Sequence, residues 1–155
     1  MSKKTRSQIK EVRKAIKDEH NQYVNNKIDQ MFENPIQRQM NFDKSRKLRL
    51  YDYFIIVTLA LLMIGLSFII SIFIIKDINM VSWVTSAFTL ICLFSAIVTG
   101  WLKNNLVAKF FNDKRRRYQT TMTEEEGLFR RIIKIILFTS LILLIISIIF
   151  IFTFK

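Results

Sequence analysis

Charged and apolar positions fall in long, separate blocks along this chain. Residues 54–75, 81–102 and 135–154 contain no Asp, Glu, Lys, Arg or His, and a helix of about 20 apolar residues crosses a hydrocarbon core of roughly 30 Å. The blocks predict an all-α integral membrane protein with three transmembrane helices, at 54–75, 81–102 and 132–154. A soluble globule is excluded. The link at 76–80 begins Lys76-Asp77-Ile78-Asn79 and is so short that the first two spans are expected to form a tight antiparallel hairpin. In the second span Trp83 and Trp101 are separated by about 27 Å of helix at 1.5 Å per residue, near the spacing of the two interfacial aromatic belts.

Outside the spans the pattern turns to narrow helical stripes. In 1–53, Ile9, Val12 and Ile16 recur at steps of three and four, and Val24, Ile28 and Met31 resume the pattern beyond His20. Asn34-Pro35 predicts the end of that helix, because proline has no amide hydrogen and disfavours helical geometry in the residue before it. A second short element is expected from Ile36 to Arg49. In 103–131 the step of four from Leu102 to Leu106 to Phe110, with Val107 and Phe111 alongside, predicts that the second span continues outward to about 114–118. Thr123-Glu124-Glu125-Glu126 fits a capping box, with the Thr hydroxyl and the Glu126 carboxylate each satisfying a free backbone amide. Three acids also suit the positive end of a helix dipole.

Charge then orients these elements. The formal net charge is +12, from 24 Lys and Arg against 12 Asp and Glu. Residues 1–53 hold 13 of the cations and 103–134 hold nine, against Lys76 and Lys155 on the opposite side. The positive-inside rule places the N-terminus and the 103–131 loop in the cytoplasm and the C-terminus outside, in a plasma or inner membrane. Residues 1–53 contain no apolar h-region, so they are expected to stay attached as a cytoplasmic basic helical region, and Glu11, Asp18 and Glu19 argue against a mitochondrial presequence. Lys44, Arg46, Lys47 and Arg49, followed by Tyr51 and Tyr53, read as a headgroup boundary; Arg115, Arg116, Arg117, Arg130 and Arg131 join them as expected contacts to anionic lipid. Lys134 is expected to snorkel beside them. No RNP-like motif, zinc finger or Gly/Arg tract accompanies the charge, so the predicted partner is the lipid bilayer and not nucleic acid.

Chemistry is sparse. A metal site on His and Cys needs three or four ligands, and only His20 and Cys92 are present; Cys92 reads as a small hydrophobe buried in a helix and His20 as a solvated helix residue, and no metal or cofactor is expected. Three glycines, Gly65, Gly100 and Gly127, leave no phosphate-cradling loop. The apolar blocks 54–75, 81–102 and 135–154 carry no ionisable group of the kind intramembrane catalysts and proton carriers use. Catalysis is not expected.

Span two differs in composition. Ser82, Ser86, Thr89, Ala96 and Gly100 fall on one stripe of small or hydroxyl residues, which is expected to pack against Ser67 and Ser71 of span one and leave span three more open to lipid. The alternative use of that stripe is as a pore lining in an oligomer. The chain therefore reads as a non-catalytic accessory, assembly or anchoring subunit that presents basic cytoplasmic helices to other membrane subunits or to itself. The competing reading is a self-associating pore-forming or membrane-permeabilising effector, holin-like or from a defence system. The N-in, C-out orientation departs from the N-out arrangement of three-span holins. A small-solute transporter is disfavoured by the lack of an internal repeat, a broken helix or an intramembrane charge.

Overall fold

The computed structural model describes residues 3–154, with side chains from Gln8 onward; Lys155, expected as an outer cation, lies outside the described residues. Among the described residues every regular element is helical. The order is α1 (Lys3–Phe32), α2 (Pro35–Arg46), α3 (Leu50–Ile69) widening into a π-type turn (Ile70–Ile75), α4 (Val81–Phe111) and α5 (Glu124–Thr153). Helical segments built on α3 with its extension, on α4 and on α5 are each long and apolar enough to cross a membrane.

The breaks follow from local chemistry. Pro35 opens α2, where its missing amide hydrogen leaves no bond unmade. Lys47 then turns extended at ψ 139° and separates α2 from α3. After the π-type turn, Lys76 takes a left-handed φ of 60°, and the Asp77 carboxylate accepts the Asn79 amide at 2.9 Å, starting the short 3-10 turn Ile78–Met80 that feeds α4. α4 stops at Phe111, a few residues before the basic run expected to end it, because Asn112 adopts φ 49° and folds its amide back onto Ala108 and Lys109. Asparagine tolerates that left-handed position better than most residues.

The three long helices pack differently from the sequence expectation. α4 meets α5 over most of its length, α3 meets α5 next, and the α3–α4 contact is the smallest of the three. Hydroxyls decide this seam. Ser86 Oγ lies 2.6 Å from Ser147 Oγ, and Ser147 Oγ donates to the Ser82 carbonyl at 3.1 Å. The α5 side of that seam is Ser147, on the span that the sequence pattern expects to be more open to lipid. Interior positions are small and hydroxylated, with Ser67, Thr85, Thr89, Thr139 and Ser140 buried, while Phe73, Trp83 and Phe152 are largely exposed. Small residues allow close backbone approach, and most of these hydroxyls are satisfied on their own helix, Thr85 on Val81 and Thr139 on Ile135.

Register follows from that seam. Starting from Ser86 opposite Ser147 and stepping along two antiparallel helices at 1.5 Å per residue, Leu102 lies opposite Arg131. Asp52 of α3 is bonded directly to Arg131. One level of the bundle thus joins the ends of all three apolar segments.

Candidate functional site

The chemistry in this molecule is concentrated at and beyond that level, at the end where the basic residues gather. Asp52 and Arg131 form a two-point ion pair, Nε to Oδ2 at 2.8 Å and Nη2 to Oδ1 at 2.6 Å. Both are buried, at 1% and 6% exposure. The Arg49 backbone amide donates to Asp52 Oδ2 at 2.6 Å, so the carboxylate also caps α3. Arg131 stacks its guanidinium 4.6 Å from the Tyr51 ring centre. The Arg131 hydrogen bonds hold the Asp52 carboxyl below its usual range against the opposing effect of burial, and the same contact raises the Arg131 pKa.

About 7.5 Å further along α5, at five residues of 1.5 Å rise, Glu126 is fully buried and its carboxylate fully engaged. Oε2 accepts from the Thr121 amide at 2.7 Å, Thr121 Oγ1 at 3.0 Å and Thr120 Oγ1 at 3.1 Å. Oε1 accepts Arg130 Nε at 2.9 Å and Nη2 at 2.7 Å. Burial pushes this carboxyl up, but the Thr121 and Arg130 bonds outweigh it and the net direction is down. Half of the expected capping box is present: Thr123 Oγ1 accepts the Glu126 amide at 3.3 Å. The other half is replaced, because the Glu126 carboxylate binds Thr121 rather than the Thr123 backbone, and Met122 takes φ 51° to let the loop wrap it.

α2 lies against the first turns of α5. Gly127 makes this possible, since a Cβ there would overlap Ser45 Oγ and come within 3.1 Å of the Phe42 carbonyl. Arg46 and Arg130 each place a guanidinium 5.5 Å from the Phe42 ring centre, and Lys134 Nζ donates to the Arg46 carbonyl at 3.2 Å. α1 lies against the end of α4: Val24, Val107 and Phe111 are buried together, with Ile28, Met31 and Phe110 packed around them. His20 approaches Asp113, and Tyr23 donates to the Phe110 carbonyl at 3.3 Å. As α1 advances, its partners recede along α4, so the two run antiparallel and residues 8–19 project past the end of α4. All twelve are exposed.

The candidate cations therefore divide by place. Lys44, Lys47 and Arg49 are exposed at the α2–α3 elbow, with Arg46 half-buried among them. Arg115 and Arg117 are exposed, and Arg116 reaches Asp113 at 3.9 Å, all in the loop after α4. Arg130 is spent on Glu126. Arg131 is the correction: expected at headgroups, it points inward to Asp52. Among the packing residues, Ser67, Ser71, Ser82, Thr89 and Ala96 are buried and Ser86 is half-buried. At Gly100 a Cβ would meet nothing within 4 Å, so the close approach expected there falls at Gly127 instead. The sequence reading missed Asp52, although an acid between two tyrosines at the start of an apolar run was a signal to seek a cation at the same depth of another span. No protein-family model, curated protein or solved structure matches this chain.

Proposed function

We infer that the chain is a non-catalytic anchoring or assembly subunit of a membrane complex, oriented N-in and C-out in a plasma or inner membrane, which holds the first half of α1 out for a protein partner. One observation carries this reading. Residues 24–31 of α1 are fastened to α4, whereas residues 8–19 continue as a helix exposed on every side, with Ile9, Val12 and Ile16 in a stripe beside Arg13 and Lys17. A helix that buries nothing gains little from the fold that supports it. A rigid stalk bearing such a helix suits docking to an apolar groove edged with acids.

The basic asymmetry supports the orientation, and the ion-paired collar supports a fixed stalk angle. The test is purification of the full chain from its native membrane in mild detergent. The reading expects a partner in stoichiometric amount, lost on Ile9→Asp/Ile16→Asp while the three-helix bundle remains folded. Recovery of the same species with and without these substitutions overturns it. A reporter fused after Lys155 should be active on the non-cytoplasmic side.

A further inference from the structure

We propose that the α2–α3 elbow binds the phosphate of an anionic phospholipid, and that the basic loop after α4 does not. This rests on the membrane-anchoring reading above and separates two groups of cations that look equivalent in sequence.

Charge balance comes first. Arg46 pairs with Asp43 at 3.3 Å, Arg130 with Glu126 and Arg131 with Asp52. Among the described residues, Lys44, Lys47 and Lys134 have no carboxylate within 4 Å. Lys134 is the informative one. It belongs to α5, yet its ammonium bonds the Arg46 carbonyl, which puts its charge beside the peptide that joins Arg46 to Lys47. One of its three donors is used there, and two are left. Cations from two separate elements thus converge on one exposed corner.

Depth comes second. The elbow precedes Asp52 by only a few residues, and Asp52, Leu102 and Arg131 share the level at which all three apolar segments begin or end. Lys47 and the Lys134 ammonium, held at the Arg46 carbonyl, therefore lie at headgroup height. α4 runs from Leu102 to Phe111 before its loop starts, about 13.5 Å of helix at 1.5 Å per residue. Arg115 and Arg117 belong to the loop that starts at that end of α4, so the loop's first residue lies more than a Debye length of about 8 Å from the Leu102 level at physiological salt. A phosphate near that level is closer to the elbow than to the start of the loop.

The experiment incorporates the full chain into nanodiscs of mixed phosphatidylglycerol and phosphatidylcholine and counts the lipids retained by native mass spectrometry. Wild type should retain phosphatidylglycerol in preference. Lys44→Gln/Lys47→Gln, at two exposed positions that bear no fold contact, should lower that preference about tenfold. Lys134→Gln should do the same and Lys134→Arg should restore it, whereas Arg115→Gln/Arg117→Gln should leave it unchanged. Millimolar inorganic phosphate should not displace the lipid; displacement would assign the site to free phosphate and overturn the lipid assignment. Equal retention of both lipids, or loss of preference only in the loop variant, overturns the inference while leaving the anchoring reading intact. Failure to enter nanodiscs overturns both.

Discussion

Asp52 and Arg131 stand 79 positions apart, and each alone is a charge at the edge of an apolar run. Together they form a buried, two-point pair, and breaking one side strands the other. Asp52→Ala should therefore cost about 3–5 kcal/mol of stability, whereas Asp52→Leu/Arg131→Met should recover most of it, because an apolar pair leaves no uncompensated charge. Thermal unfolding in mild detergent reads both; equal losses in the single and double variants would contradict the ion-pair account. The pH dependence has a definite sign. Asp52 and Glu126 are both held below their ordinary values of 3.8 and 4.5, so the stability they contribute is present above those values and is lost as pH falls through the lower, folded ones. The midpoint should be flat from neutral pH to about 5 and fall below about 4, with less of a fall in the double variant. At Gly127 the constraint is steric: Gly127→Ala should cost about 1–3 kcal/mol by overlap with Ser45, and Ser45→Ala should relieve part of it.

At the scale of elements, two contacts set the architecture. The α4–α5 seam rests on serines facing each other across helices, so Ser147→Leu should overpack it and cost about 1–3 kcal/mol, while Gly100→Leu, with open space around it, should be close to neutral. The opposite ranking would mean that α4 packs on a different neighbour. The second contact is the small apolar patch that fastens α1 to α4. Phe111→Ala removes its largest buried side chain, which is 1% exposed, at a cost of about 3 kcal/mol, or on the order of a hundredfold in local opening. Amide exchange in residues 20–32 should then approach that of residues 8–19, while α3 stays protected. Unchanged exchange would show that α1 is held elsewhere.

Across the whole molecule, the three long helices share one level at the Asp52–Arg131 pair, and the charged helices beyond it form a stalk that ends in the exposed half of α1. An anchoring role predicts that the reconstituted protein alone does not leak dye from liposomes. Rapid release abolished by Thr89→Leu would instead favour the pore-forming alternative, although Thr89 is buried and donates to its own Thr85 carbonyl at 3.0 Å. Much of this was legible without coordinates. Blocks free of charge predict three long apolar helices because hydrocarbon excludes ions whatever their neighbours are, and Asn34-Pro35 marks a break because a missing amide acts locally. The choice of packing partner was not legible, since a stripe of Ser and Thr on α4 fits any helix that offers small residues in register. The same holds for Arg131, which one-dimensional reading gave to the lipid together with its basic neighbours. Periodicity and charge act within a few residues and can be read along the chain. The carboxylate that turns Arg131 inward, the serine that seats α4 on α5 and the hydroxyl that excludes a side chain at Gly127 come from distant segments, and only the folded chain brings them within reach.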